Sequence, residues 1–349
     1  IEEIHRRGWK DETLSTTKTG YIKSPEALAG KLIALGFDDK LLAKIGLTDP
    51  NIFNGNNIIF TITDESGRPV GFSARNSKWS EVSKDPKYYN TGNSRSILYQ
   101  KSRRLFNLSN ALRDIRAKKL PLYIMEGYAD VLTAIQYGIT NCCAIGGTAL
   151  TSDHVLLLKD LGIEGIILCL DGDEAGQEKT QKILDNKFSS KSQFSLSVVV
   201  VPEGKDPDDF IRDNGVEEFE ALMRWSAFEW RLIRFQEDAD PADVCKAMIP
   251  IIINEISFVI QEQLATILAR HTGISLRTIQ AELDRLQDVR AHRIAQERAA
   301  IIDKLNHSID SSPSDAETAL NTALTNLQEL NKKYNEDKLS EDACLLFLD

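Results

Sequence analysis

Between Pro121 and Gly215, apolar runs of strand length alternate with amphipathic stretches of helix length, and this alternation constrains the fold more than any other feature of the chain. Residues 122–125, 142–145, 165–170 and 196–201 are short, almost purely apolar runs, as in strands covered on both faces. Residues 128–137, 152–161, 174–186 and 207–213 predict helices, the first two ended by Gly138 and Gly162 and the last by Gly215. Strands joined by helical crossovers predict a parallel sheet with helices on both sides.

Acidic residues follow three of the four strands. Glu126 comes directly after the first, with Asp130 one helical turn further on. Asp171 and Asp173 follow the third, and Asp206, Asp208 and Asp209 follow the fourth. The C-terminal ends of parallel strands share one edge, where such sheets bind ligands, so residues distant in sequence converge there. Clustered carboxylates cannot all stay ionised without a compensating charge. A divalent cation is the simplest remedy, and an oxygen-only donor set favours Mg²⁺ or Mn²⁺. Such ions bridge phosphates, activate a hydroxyl and stabilise a leaving oxygen. An Asp-Gly-Asp by itself is usually a solvated turn; acids at the ends of three strands of one sheet are harder to dismiss.

The net charge of −10 looks wrong for a protein that handles polyanions, but it is unevenly spread. From Arg68 to Lys119 there are thirteen Lys and Arg against Glu81, Asp85 and Asp114, a local net charge of +10, which leaves −20 for the rest. A local basic stretch can hold a polyanion whatever the total charge; a solvated surface is the plain alternative. Within and before this stretch, residues 57–63 and 70–75 predict a hairpin around the turn Asp64-Glu65-Ser66-Gly67, and residues 108–119 a basic helix. Residues 1–50 predict short helices. After about Val216 the chain reads as helical throughout, with a linker at 310–313 and a capping box from Ser314 to Glu317. Leu320, Leu324, Leu327, Asn331 and Tyr334 follow 4-3-4-3 spacing, which suits packing within the chain or a seam against a partner helix.

Five cysteines, none in Cys-x-x-Cys spacing, speak against a zinc site or disulfide framework and suit buried thiols in a reducing cytoplasm. No apolar run reaches the ~18 residues of a membrane span, and no signal peptide opens the sequence. The chain starts at Ile1 without an initiator methionine, as a fragment of a longer protein would. His154, Trp225 and Trp230 are expected to be structural.

Several runs together carry a resemblance. Glu126-Gly127-Tyr128-x-Asp130, Gly146-Gly147-Thr148-Ala149-Leu150-Thr151, Asp171-Gly172-Asp173-x-Ala175-Gly176 and Pro202-x-Gly204-x-Asp206-Pro207-Asp208 resemble the TOPRIM domain of bacterial and phage DnaG-type primases. Upstream, residues 59–64, Gly67-Arg68, Gly71-Phe72-Ser73-Ala74-Arg75, Pro86-Lys87-Tyr88-Tyr89-Asn90 and Leu98-Tyr99-Gln100-Lys101 resemble that family's basic N-terminal subdomain. The resemblance runs from about Gly8 to Leu283.

It implies an α/β fold: a TOPRIM parallel sheet with flanking helices, preceded by a basic α+β subdomain and followed by an all-helical region. The expected divisions are 1–120, 121–215, 216–290 and a helical extension over 291–349. It implies DNA-templated synthesis of short RNA primers from NTPs, dependent on Mg²⁺ or Mn²⁺. Glu126, Asp171 and Asp173 are the implied catalytic acids and metal ligands, with Asp206 and Asp208 supporting them in the metal set and Asp130 as a supporting acid. Arg75, Lys87, Tyr88 and Lys101 are implied to bind nucleotide or template. Implied partners are a single-stranded DNA template, NTPs, the RNA primer product and a replicative helicase, with no membrane. Asn57, Thr61 and Gln177 depart from the family pattern, which bears on the nucleotide pocket more than on the metals. The family's Cys/His zinc module has no counterpart in the sequence and is expected before Ile1 or elsewhere. The rival readings are a TOPRIM topoisomerase or nuclease, and a non-catalytic bridge between single-stranded DNA and a helicase.

Overall fold

The computed structural model describes residues 2–22, 24–44, 57–76, 79, 86–91, 99–147, 149–186, 194–235, 239–255, 257–311 and 316–333. The chain divides into two compact units, residues 1–231 and 232–349.

The first unit opens with α1 (Glu2–Arg7), α2 (Asp11–Thr16), β1 (Thr19–Ile22), α3 (Pro25–Ala34) and α4 (Asp39–Lys44). The predicted hairpin forms between β2 (Asn57–Thr63) and β3 (Pro69–Asn76). Asp64 ties its turn: Oδ1 accepts from the amides of Ser66 and Arg68, and Oδ2 from the Arg68 guanidinium. With β4 (Tyr88–Asn90) these strands make an antiparallel sheet in the order β1-β2-β3-β4. The basic helix α5 (Leu108–Lys118) follows, with Lys119 in the left-handed region after it.

A second sheet contains β5 (Leu122–Met125), β6 (Cys142–Ala144), β7 (Gly165–Leu168) and β8 (Ser195–Val199), all parallel. Its crossovers carry α6 (Tyr128–Gln136), α7 (Ser152–Asp160) and α8 (Glu174–Asn186), and α9 (Pro207–Asn214) comes after β8. Successive side chains of a strand face opposite ways, and here they feed two separate cores. Tyr123, Met125, Cys142, Ile167 and Cys169 join one core, which also takes in Ile58, Phe60 and Ile62 of the hairpin. Leu122, Ile124, Cys143, Ile166, Leu168 and Leu170 join the other. The two adjacent cysteines therefore lie on opposite faces, both fully buried.

One expectation needs correcting. The chain is not wholly helical after Val216: α10 (Val216–Glu220) leads into β9 (Arg224–Ser226), which pairs antiparallel with β8 and closes the order β6-β5-β7-β8-β9. Three residues are too few for alternation to show, and Trp225 pairing with Val198 marks the strand only once the sheet exists. Helix α11 (Ala227–Ile233) then buries Trp230 completely in the second core.

The second unit contains α12 (Pro241–Ile253), α13 (Phe258–Thr272), α14 (Leu276–Ser311) and α15 (Ala316–Lys333). Asp240 and Ser257 cap α12 and α13, and Gly273, at φ 73°, stops α13. The seam foreseen on α15 packs within the chain. Ala323, Leu327 and Leu330 are buried where α15 meets α14, with Leu320 and Leu324 half-buried beside them. Lys333 pairs with Glu297 across the two helices at 2.8 Å. Ser314, Tyr334, Cys344 and the side chain of Asn331 lie outside the described residues.

Candidate active site

Glu126 is the first residue beyond β5, and the chain leaves it through Gly127 into α6. Its carbonyl accepts from the amides of Gly146 and Gly147, at 3.0 and 3.3 Å. Both glycines have φ 74°, and a Cβ at Gly146 would meet the Tyr128 hydroxyl at 2.5 Å, so only glycine fits there. The backbone of Glu126 is thus wrapped by the Gly-Gly loop after β6. Of its carboxylate oxygens, Oε1 lies 2.5 Å from Lys179 Nζ on α8. Oε2 is buried with no hydrogen-bond partner.

The loop after β7 is compressed. A Cβ on Gly172 would sit 2.1 Å from the Val201 carbonyl, and one on Gly176 would sit 2.1 Å from the Asp171 carbonyl. Asp173 Oδ1 accepts from the Gly176 amide at 2.8 Å and so caps α8. Gln177, which departs from the resembled pattern, is structural here. It donates to the Asp171 carbonyl at 3.1 Å and accepts from Trp230 Nε1 at 3.2 Å. After β8, Asp206 caps α9 by accepting from the Asp209 amide at 2.7 Å.

These loops bring the acids within electrostatic reach of one another. Burial, with Glu126 and Asp206 adding to it and Lys179 opposing, pushes the Asp171 carboxyl up to about 7. Burial chiefly, with the nearby Asp209 and Asp208, raises Asp206. Asp130 is fully buried, and desolvation reinforced by Asp206 and Asp171 raises it well above the carboxylate range. It accepts from the Gly127 amide at 2.8 Å, which fixes the turn out of β5.

Asp208 is built in more deeply. Its Oδ1 accepts from Thr133 at 2.6 Å and Arg212 at 2.9 Å, and its Oδ2 pairs with Arg7. Oxygens of Asp206, Asp208 and Asp209 lie within 4.8 Å of one another, a group a cation could bridge. Asp208 has both oxygens engaged by protein donors, so it organises α1, α6 and α9 around the edge. Glu126 keeps an unpaired oxygen and stands in front.

The basic residues are arranged differently. Tyr88 packs against Phe60 and Tyr128, with ring centroids 6.3 and 5.3 Å away. Burial pushes its hydroxyl up to about 12, with Arg75 and Arg7 pulling it down and Tyr128 and Asp130 pushing it up. Lys87 lies over the Trp79 ring at 5.2 Å. Lys101 is half-buried, and burial lowers its proton affinity. Its carbonyl is 3.2 Å from Nε2 of His154, which is fully buried and caps α7 with Thr151.

Sequence reasoning missed Arg7, Thr133 and Lys179. The first two carry no local signal, since their partner lies far along the chain. Lys179 had one: it stands three residues after Gly176, on the same face of the helix that follows the Asp171–Asp173 loop.

The fold and its acidic edge define a Toprim-like domain: residues 123–211 match the Toprim-like family. Residues 2–112 match the N-terminal domain of the DNA primase catalytic core. The chain is 36% identical over 226 residues to a DNA primase of Lactococcus lactis, a match covering 63% of this chain and 34% of that protein. The RNA polymerase domain of Mycobacterium tuberculosis primase DnaG superposes with a TM-score of 0.65 at 25% identity, covering 77% of this chain and 89% of that one. A DnaG primase catalytic domain bound to single-stranded DNA superposes with a TM-score of 0.60 at 25% identity, covering 78% and 88%. Residues 2–112 and 123–211 thus match, in order, two successive domains of the catalytic core of DnaG-type primases, and the chain is similar to that family over this span. It spans roughly a third of the length of the bacterial primase it matches in Lactococcus lactis, and 38% of one from Listeria monocytogenes.

Proposed function

We propose that this chain is the polymerising core of a primase, making short RNA primers on a single-stranded DNA template from NTPs. One observation carries the reading: a buried, unpaired oxygen of Glu126 at a sheet edge that also holds Asp171, Asp173 and Asp206. Lys179 pairs with one oxygen of this carboxylate only, a buried oxygen left without a partner is costly, and a cation supplies that partner. Glu126, Asp171, Asp173 and Asp206 would hold Mg²⁺ or Mn²⁺, with Asp208 and Asp130 fixing the loops behind them. When bound, such an ion bridges phosphates and activates a hydroxyl. The chemistry is attack of a ribonucleotide 3′-hydroxyl on the α-phosphate of an NTP, with pyrophosphate leaving.

The chain's own residues bind and orient. Arg75 offers a planar, permanently charged fork to a phosphate, and Lys87 and Lys101 offer point charges. Tyr88 holds Arg75's strand against α6, so the phosphate-binding sheet and the acidic edge are fixed together. The related catalytic domain bound to single-stranded DNA supports the template assignment. Among the described residues no helix is long and apolar enough to cross a membrane; a cytoplasmic site of action and docking of a replicative helicase on the helical unit complete the proposal. Incubation with a single-stranded template, NTPs and Mg²⁺ or Mn²⁺ should yield short RNA products. Relaxation or nicking of plasmid DNA instead would mean a topoisomerase or nuclease, and inactivity in both assays with intact DNA binding would mean a bridge.

A further inference from the structure

The two oxygens of Glu126 face different surroundings. Lys179 reaches Oε1 from α8 with about half of its side chain in solvent, whereas Oε2 is buried and unpaired. The neighbouring carboxylates share this pattern by other means. Asp173 has Oδ1 tied by the Gly176 amide, and Asp206 has Oδ1 tied by the Asp209 amide. Each of these three acids has one oxygen committed to a protein donor, and among the described residues the other has no such tie. For Glu126 the tie is a side chain, which mutation can remove without disturbing a helix cap.

We propose that Lys179 is a positioning residue that limits Glu126 to giving a cation one oxygen, Oε2, and thereby selects Mg²⁺ and Mn²⁺ against Ca²⁺. This rests on the reading of the edge as a cation site. Mg²⁺ demands near-octahedral geometry from single oxygen donors, whereas Ca²⁺ takes six to eight oxygens and readily uses both oxygens of one carboxylate. With Oε1 engaged by Lys179, the bidentate mode is disfavoured at Glu126. With Asp173 and Asp206 each tied at one oxygen, it is disfavoured at its neighbours as well. An ammonium suits this role because it is a compact charge that pairs with one oxygen at a time, where a guanidinium would span both.

The proposal is tested by calorimetric titration of the whole chain with Mg²⁺, Mn²⁺ and Ca²⁺, for the wild type and Lys179→Met. Removing a positive charge tightens every divalent cation, so the ratio of affinities isolates the effect of the tie. The proposal expects Ca²⁺ to gain on Mg²⁺ by about tenfold in the Met variant, the scale on which residues behind metal ligands act. Lys179 is half-exposed, so thermal melting should be little changed. Equal gains for Ca²⁺ and Mg²⁺, or no change in either, would overturn the role given to Lys179. Failure of the wild type to bind any of the three ions would overturn the cation site itself.

Discussion

Glu126, Asp171 and Asp206 come from three separate strand ends along one sheet edge, within electrostatic reach of one another, whereas Arg75, Lys87 and Lys101 lie within one stretch of chain on and beside the antiparallel sheet. The acids are held by backbone: glycines that tolerate no Cβ, helix caps, and loops that hydrogen-bond each other. The lysines are held more loosely, Lys87 over a half-buried indole and Lys101 by partial burial. The acidic edge also disfavours its own ionisation, since burial and neighbouring carboxylates raise both Asp171 and Asp206. A site that must place charge at a fixed point is built rigidly from distant pieces. The basic residues, by contrast, follow one another along one stretch, and the lysines among them can adjust.

If the edge is the chemical centre, the largest effect belongs there. Asp171→Asn and Asp173→Asn should each abolish primer synthesis and weaken Mg²⁺ binding with little change in thermal unfolding. Near-normal synthesis by both at low Mg²⁺ would remove the distinction between the two regions. Asp208→Ala should act on stability instead. It strips the buried partner from Arg7, Arg212 and Thr133, a loss on the order of 3 kcal/mol for a buried ion pair. Denaturant unfolding would read it, and an unchanged midpoint would show that these contacts are not tight in solution.

A pH dependence sharpens the same comparison. The Asp171 carboxyl is raised to about 7 in the folded, metal-free chain against an ordinary value of 3.8. The folded state therefore holds this proton more tightly than the unfolded state. The resulting stabilisation is fully present below about pH 3.8 and is lost as pH rises from there through about 7. Asp171→Asn should raise the melting temperature of the metal-free protein at pH 8 and leave it nearly unchanged at pH 4. A gain of equal size at both pH values would count against the buried, charged state.

The smallest effects belong to the basic sheet. Arg75→Ala, Lys87→Ala and Lys101→Ala should each weaken single-stranded DNA or NTP binding without altering base preference. For a DNA contact, the slope of log affinity against log salt should fall by about 0.7 per lost phosphate contact. Affinity measured across a salt series checks this; unchanged slopes and affinities in all three would leave the basic stretch as a solvated face.

Much of this architecture was legible in the sequence because its signals are local. Strands buried on both faces leave continuous apolar runs, and the boundaries of 122–125 and 174–186 coincide with those of β5 and α8. The acids could be gathered because parallel topology sends every C-terminal strand end to one edge. Strand β9 stayed hidden because three residues with a tryptophan look the same in a helix or a strand. Leu327 of the foreseen α15 seam is buried, but so are Ala323 and Leu330, which the seam left out; an alanine at a close helix contact carries little hydrophobic signal. The commitment of Asp208 to Arg7 was invisible for a different reason, as the partners stand 201 residues apart.

The central claim is that Glu126 acts on chemistry and not on fold or grip. Glu126→Gln keeps its shape and removes one charge, so primer synthesis and single-stranded DNA affinity should be measured side by side on the same preparation. The account predicts synthesis lower by several orders of magnitude with DNA affinity close to wild type. Synthesis and DNA affinity falling together, or synthesis persisting, would contradict it.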